Sequence, residues 1–595
     1  MIRILALMEH RDRRRFYGLI GLAVVNGAFS MFGVAAILPF LAVVSDPSRI
    51  DSNGILSGLR DLSGLQSVQG FTIFLGVLVF LFVLLSIAVR AATSYAMIAF
   101  AQRQTLTLAR ALMLHYMSQG YSWFLQHHSS DLAKTILSEV AQVVNQVITG
   151  MMRLLANGMM ILFMLLFLVV LDPWVALVAF LIFGISFGLI HVLTRKHISR
   201  MGKERLVANG QKYRILNEAL GGIKNVKLRG LESVYVNRFE APARKVADNQ
   251  VKVGVLSELP RHFLEGIAFG GMILFILWLL AVRQGNAAEI IPLLGVFALA
   301  AARMFPTLQQ FFAALSMLRF GQPALDQIYD ELVGSKDSGR RLSPDVPAIR
   351  LRSRLLLEDV SFAFPDTDHP VLHDISLTIE AGATVGIVGT TGAGKTTLVD
   401  LLLGLLPPTS GTLSVDGVEI TPRNVRGWQK SVGYVPQDIF ILDDTITANI
   451  AFGVPPEEVD QEAVLVASRV AELDAFVTAE LPQGYDTTVG ERGTRLSGGQ
   501  RQRLGIARAI YLKPDILILD EATSALDTVT EMAVMEAVHR LGGDQTVVMI
   551  AHRLSTVRNC DTIFMLDHGH LVAAGKYDDL VAGSTRFRAL HDATT

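Results

Sequence analysis

Three stretches of the chain bring together residue types whose spacing points to chemistry. In "VGIVGTTGAGKTTLVDLLLG" the run Gly389, Thr390, Thr391, Gly392, Ala393, Gly394, Lys395, Thr396 and Thr397 joins an apolar strand at 384–388 to an apolar helix. Glycines at those points let backbone N–H groups turn inward around phosphate oxygens, and the helix N-terminus adds partial positive charge. Lys395 then reaches the β- and γ-phosphates of ATP, and the Thr396 hydroxyl suits Mg2+. In "ILILDEATSALD" an apolar strand ends on Asp520 and Glu521. Asp520 is suited to organise Mg2+ and Glu521 to polarise an attacking water. The third stretch, "FALAAARMFPTLQQFF", holds Arg303 in an otherwise apolar run. Arginine stays protonated, and at the centre of a spanning helix it costs about 2.5–3.5 kcal/mol on insertion scales.

The elements that must position these groups divide the chain near residue 335. With 51% hydrophobic residues and a mean hydropathy of +0.42, 595 residues are too apolar for a soluble protein and too many for one domain. The net charge of −1 gives no case for nucleic acid as a partner. The only cysteine, Cys560, rules out a disulfide framework and a thiolate metal cluster. Residues 1–334 read as a membrane domain whose helices cross at 16–44, 71–100, 139–171 (apolar from 150), 174–194, 262–282 and 289–320, each reaching the ~20 residues a bilayer needs. The N-terminal basic residues and apolar run resemble a signal peptide, but the run is too long and lacks a cleavage site, so it reads as an uncleaved first span. Six crossings return the chain to its starting side. Arg11, Arg13, Arg14 and Arg15, with Arg195, Lys196, Arg200, Lys203 and Arg205, mark that side as cytoplasmic.

The loops 101–149 and 195–260 keep apolar residues at helical spacing. They predict helices extending far below the bilayer, each pair joined by a short transverse helix, at "YSWFLQ" (121–126) and at "GIKNVKLRG" (222–230). An outer loop spaces Ile55, Leu59, Leu62 and Leu65 like one face of a short helix, lying either in the membrane interface or against its own protein. Residues 335–350 read as a linker, and 351–595 alternate strand and helix as a soluble α/β domain does.

This second half resembles the ABC transporter ATPases over nearly all of 355–585. "LSGGQ" supplies Ser497, Gly498, Gly499 and Gln500 as the signature, of which Ser497 and Gly499 bond the γ-phosphate in that family. The resemblance also implies that Gln437 in "YVPQD" senses Mg2+ and the membrane half. His552 in "IAHRLS" then acts as switch histidine, Asp527 in "SALD" lies in the D-loop, and "TVGERG" is the loop touching the transverse helices. Phe364 stands where the family usually has a tyrosine stacking on adenine; it keeps the ring face and loses the hydroxyl. In the family ATP sits between the phosphate loop of one domain and the signature of another. One chain with one complete set of such residues therefore implies a homodimer with swapped helices, a heterodimer with a degenerate partner being the other arrangement.

Spans and ATPase in one chain resemble the exporter architecture. Counting inward from Glu289 at ~1.5 Å per residue puts Arg303 about 21 Å deep, on the cytoplasmic side of the midplane. Arg90 and Arg261 fall at similar depth on two other spans. Each could extend to lipid phosphates singly, or pair locally, as Arg261 could with Glu265; together they would form an anion-binding girdle facing the bundle interior. "ILPFLAVVSDP", "LPRHFLEGIAF", "ARMFP" and "IKNVKLRG" further resemble PglK-type lipid-linked oligosaccharide flippases. That resemblance implies ATP-driven movement of a polyprenyl-pyrophosphate glycan from the inner to the outer leaflet of a bacterial inner membrane, with both termini cytoplasmic. Arg90, Arg261 and Arg303 then contact the pyrophosphate. The alternative is an exporter of another lipid, a peptide or a drug-like amphiphile, which needs no ring of cations.

Overall fold

The computed structural model describes the chain apart from residues 1, 53, 66, 172, 283–286, 335–345, 366, 368, 522–535, 537–544, 552, 553 and 595. Most of the expected linker therefore lies outside the described residues. The chain forms two compact units, one of residues 1–119 with 127–340 and the other of residues 120–126 with 341–595.

The first unit is all helical. Its elements are α1 (Ile2–Leu7), α2 (His10–Ala35), α3 (Ile37–Ser45), α4 (Arg49–Ser52), α5 (Gly54–Ser63) and α6 (Val68–Met117). The short α7 (Tyr121–Gln126) groups with the second unit. The first unit resumes with α8 (Ser129–Leu171), α9 (Pro173–Gly221), α10 (Ile223–Arg229), α11 (Glu232–Val282) and α12 (Ala287–Val333). Helices of 50, 49, 51 and 47 residues, α6, α9, α11 and α12, extend about 70–77 Å at 1.5 Å per residue. That is more than twice a ~30 Å hydrocarbon core, so most of the predicted loops are continuations of the spans. The helix run His10–Ser45 together with α6 and α8 are long and apolar enough to cross a membrane. The expected spans at 174–194, 262–282 and 289–320 fall within α9, α11 and α12.

Local sequence explains the breaks. The expected first span divides at Ala36 into α2 and α3, because Pro39 has no N–H to give to the Ala35 carbonyl. The predicted transverse helices are α7 and α10, and α10 ends on Gly230 at φ 61°, where a left-handed residue terminates the helix. The outer-loop helix is α5. It packs Leu56 and Leu59 with Val43, Ile50, Phe71 and Leu75 and leaves Ile55 and Leu62 exposed, so its apolar residues serve two surfaces. Small residues bring helices close: a Cβ on Gly202 of α9 would meet the Phe320 carbonyl oxygen of α12 at 2.4 Å.

Within the basic run 195–205, Arg205 is buried. It is 3% exposed and pairs at 2.5 Å with Glu139, which is fully buried in a π-helical turn of α8 (Thr135–Glu139). Asn209 donates to the same carboxylate at 2.8 Å.

The second unit holds two sheets. An antiparallel sheet runs in the order β2 (Leu372–Glu380), β1 (Arg354–Phe362), β4 (Ser410–Val415), β5 (Val418–Glu419). The other runs β10 (His570–Gly575), β9 (Thr562–Asp567), β3 (Thr384–Gly389), β8 (Thr546–Ile550), β7 (Ile516–Asp520), β6 (Val432–Val435), parallel except for β10. Every residue of β3, β7 and β8 is buried, as unbroken apolar runs in a sheet covered on both faces require.

Removing one member of a buried ion pair strands the other charge, at about 3–5 kcal/mol. Arg205→Ala and Glu139→Ala should each lower the Tm of the purified full chain markedly, whereas Arg205→Met with Glu139→Leu should recover most of the loss. Additive losses in the double variant would show that the pair is not coupled.

Candidate functional site

The phosphate loop, Asp520 and Glu521, expected from the sequence to meet ATP and Mg2+, lie at the carboxyl ends of parallel strands, the usual ligand edge of such sheets. β3 ends at Gly389 and the loop turns through Gly392 (φ 82°) and Gly394 (φ 96°) into α13 (Lys395–Leu402). Both glycines occupy left-handed backbone, and a Cβ on Gly394 would come within 2.7 Å of Leu372. The Lys395 ammonium, 7% exposed, donates to the carbonyls of Gly389 at 2.8 Å and Thr390 at 3.1 Å. Burial lowers its pKa, against the opposing charges of Glu521 and Asp520. Ala393 and Thr397 are buried behind the loop, while Thr390, Thr391, Gly392 and Thr396 are exposed on it. Asp567, at the end of β9, accepts from the Thr390 hydroxyl at 3.4 Å and pairs with Arg586 at 2.9 Å, backing the loop from a strand the sequence did not single out.

One strand beyond β8, Asp520 ends β7 and is 7% exposed. Glu521 follows with φ 52°, an uncommon conformation for glutamate, held by its N–H donating to Ile550 O at 3.2 Å. Its carboxylate accepts from the Gln437 amide at 2.9 Å. The structure thus brings together Lys395, Gln437, Asp520 and Glu521. Phe364 lies half-buried at the end of β1, edge-to-face with Phe362 at 5.0 Å. The signature opens α14 (Gly498–Tyr511) with a reciprocal cap: Gln500 N–H donates to the Ser497 hydroxyl at 3.2 Å, and the Gln500 side chain accepts from Ser497 N–H at 2.7 Å. Ser497 and Gln500 are fixed by each other, and Gly499 sits in the helix's first turn. His552 and Asp527 lie outside the described residues.

In the helical unit a cavity of roughly 430 Å3 opens between α2, α6, α8 and α12. Asn26, Arg90, Arg153, Asn157 and Gln310 are among the polar side chains lining it. Asn26 is 6% exposed, and among the described residues its Oδ1 accepts no hydrogen bond. One turn along α2, the Ser30 carbonyl accepts from the Arg303 guanidinium at 3.3 Å. Gly33 makes room for that guanidinium, since a Cβ there would stand 3.4 Å from Arg303 Nη1 and from the Ser86 hydroxyl. Ser86 stands one turn before Arg90 on α6, so Arg303 and Arg90 approach the same stretch of that helix. Arg261 lies in α11, in a stretch whose side chains are outside the described residues. Sequence reading missed Arg153 and Asn26. Arg153 carried the same signal as Arg90, an arginine in an apolar helix ("GMMRLLANGMM"), but stands at the start of its apolar run, where it reads as a flanking charge.

With this geometry in place, comparison with known proteins defines the class. A model of the ABC transporter family matches residues 372–524, and one of the ABC transporter transmembrane region matches residues 17–302. An ATP-dependent lipid A-core flippase of Cupriavidus pinatubonensis is 31% identical over 84% of this chain and 84% of its own. One from Ralstonia nicotianae is 33% identical over 81% of each. ABC transporter B family member 29, chloroplastic, of Arabidopsis thaliana is 33% identical over 80% of this chain and 74% of its own. A solved bacterial Atm1-family ABC exporter with ATP bound superposes with a TM-score of 0.78 at 25% identity, covering 98% of both chains. The chain belongs to the ABC transporters. Within that family it is a membrane protein carrying a helical transmembrane exporter domain followed by a phosphate-loop ATPase, whose ATP hydrolysis is coupled to transport.

Asp400 on α13 has its pKa raised to about 6 by burial and then by the nearby Asp520 carboxylate. The folded chain holds this proton to higher pH than the unfolded chain does. Stability is therefore lost as pH rises from 3.8 to about 6, and the cost persists above that window. Asp400→Asn should raise the Tm of the nucleotide-free, Mg2+-free protein at about pH 8, and the gain should shrink toward about pH 5. An equal gain at both pH values would contradict the assignment.

Proposed function

We propose that the protein uses ATP to flip a phosphate-bearing glycolipid from the inner to the outer leaflet of a bacterial inner membrane, as a homodimer with both termini cytoplasmic. The observation that carries the reading is the cluster of permanent cations at the polar cavity: Arg90 and Arg153 on its wall, and Arg303 reaching α2 beside it. The acceptors among the described residues leave most of these guanidinium N–H groups available. Phosphate accepts from arginine bidentately, and the interior of a helix bundle strengthens such pairing. The Asn26 carbonyl, buried and accepting nothing among the described residues, suits a hydroxyl or amide of a sugar next to that phosphate. Arg261 is assigned to the same headgroup on sequence grounds.

The particular cargo we favour is a polyprenyl-pyrophosphate oligosaccharide, whose adjacent phosphates would use more than one arginine. Relatives named as lipid A-core flippases favour a second reading, a lipid A-type glycolipid. The two share the chemistry the arginines recognise and differ in the lipid.

In the ATPase domain Lys395 binds the β- and γ-phosphates and the loop N–H groups from Thr390 to Thr397 cradle them. Phe364 stacks on the adenine. Thr396, Asp520 and Gln437 present hard oxygen donors suited to Mg2+, which when bound neutralises charge developing on the phosphates. Glu521, held in place by its backbone and by Gln437, takes a proton from the attacking water as general base. His552 steadies the γ-phosphate. Ser497, Gly498, Gly499, Gln500 and Asp527 serve the nucleotide of the partner protomer.

Glu521→Gln should keep ATP affinity while slowing hydrolysis by about 10²–10⁴-fold, the usual worth of a general base, and Lys395→Ala should weaken nucleotide binding itself. Rapid turnover by Glu521→Gln protein would mean that another carboxylate activates the water. In nanodiscs a polyprenyl pyrophosphate should stimulate the ATPase, and Arg90→Ala with Arg303→Ala should abolish that stimulation while basal hydrolysis stays. Equal stimulation of the variant would remove the arginines from cargo recognition.

A further inference from the structure

A second group of cations lies apart from the polar cavity. On α9, Arg195, Lys196, Ser199, Arg200 and Lys203 line one pocket, and Arg319 of α12 closes it from the side, around roughly 530 Å3 of open space. Five of these six residues are permanently charged or nearly so, and the sixth is a hydroxyl. Among the described residues one carboxylate serves the group: Glu204 accepts from Arg200 at 2.9 Å and also pairs with Lys245 at 3.8 Å. Among the described residues Arg319 pairs with no carboxylate. Its Nη2 stands 2.9 Å from His191 Nε2, which must be unprotonated to accept from it. Arg205, the next cation on α9, is excluded from the pocket by its pairing with Glu139.

A surplus of topological charge on the cytoplasmic side needs no such convergence, since scattered lysines and arginines serve that purpose equally well. Drawing Arg319 in from a second helix, half-buried and tied to a histidine, concentrates like charge at a cost that an anion would relieve. Depth points to the anion. Counted from Pro173 as the outer end, the pocket spans about 33–45 Å along α9, just past a ~30 Å hydrocarbon core and level with the inner-leaflet phosphates. Counted the same way, Arg303 lies about 24 Å along α12 from Ala287 and Arg90 about 33 Å along α6 from Val68, so Arg303 is shallower than the pocket and Arg90 is set apart from it by lining the polar cavity instead.

We propose that this pocket binds the phosphate of an anionic phospholipid headgroup in the inner leaflet, as a resident lipid site distinct from the cargo cavity. The inference rests on the topology proposed above and not on the identity of the cargo. Arg195 and Arg319 supply bidentate forks from two helices, and Lys196, Arg200 and Lys203 hold the remaining charge.

The test uses the full chain in phosphatidylcholine vesicles with spin-labelled phosphatidylglycerol or spin-labelled phosphatidylcholine, reading the motionally restricted fraction of each. The native protein should select phosphatidylglycerol by at least about five-fold, the worth of one basic residue near an anionic headgroup. Arg195→Gln with Arg319→Gln should bring the selectivity close to parity, and Arg195→Lys with Arg319→Lys should restore part of it. Arg90→Gln should leave it unchanged. Selectivity that survives in the glutamine double variant, or that Arg90→Gln removes equally, would overturn the proposal. So would displacement of the labelled phosphatidylglycerol by inorganic phosphate or by a polyprenyl pyrophosphate, because the pocket would then hold a free anion or the cargo. Selectivity that persists in protein unable to flip any glycolipid would support this site and count against the cargo reading alone.

Discussion

A guanidinium cannot discharge itself, so every arginine set among apolar helices must find an acceptor or face an anion. That constraint orders much of the helical unit. Arg205 meets it internally, with Glu139 and Asn209 completing a buried network between α8 and α9. Arg303 meets it in part, through the Ser30 carbonyl, with Gly33 leaving room for the group. Arg90 and Arg153 line a polar cavity that also holds the Asn26 carbonyl, which accepts no hydrogen bond among the described residues. What separates Arg205 from the cavity arginines is that, among the described residues, the fold supplies it a carboxylate.

The ATPase domain solves the complementary problem of gathering opposite charges around a polyanion. Lys395 is buried and held by loop carbonyls, while Asp520 and Glu521 stand two strands away across β8. Strands buried on both faces fix those positions. The left-handed backbone at Gly392, Gly394 and Glu521 aims the groups where regular structure would not. Lys395, Gln437 and Glu521 are each held by hydrogen bonds to the loop or to one another, which suits a reaction catalysed mainly by placement and charge.

How much of this was legible in the sequence follows from the range of the signals. The phosphate loop, the Asp520–Glu521 pair and the signature are local patterns dictated by backbone geometry, and the structure sets Lys395, Gln437, Asp520 and Glu521 together. The short helices α7 and α10 were legible because short apolar spacing between breakers leaves few other conformations. The fates of individual arginines were not legible. Arg205 and Arg200 are neighbours in one basic run, yet one is buried against a helix 66 residues away and the other is exposed beside its own i+4 glutamate. That difference depends on tertiary partners that no local pattern encodes. Arg153 was overlooked for a related reason: a charge at the edge of an apolar run reads as a flanking residue until the fold shows the cavity it lines.

The central claim is that ATP hydrolysis moves a phosphate-bearing glycolipid that these cations hold. Its most direct test is ATP-dependent flipping of a polyprenyl-pyrophosphate oligosaccharide in sealed vesicles, set beside a lipid A-type glycolipid and a phosphate-free glycolipid. The account expects ATP-dependent flipping of the pyrophosphate lipid and none of the phosphate-free one, with the flipping lost when Arg90, Arg261 and Arg303 are all alanine. Flipping of the lipid A-type substrate alone would keep the role of the arginines and change the lipid. Flipping that ignores the phosphate, or that continues in the triple variant, would contradict the claim.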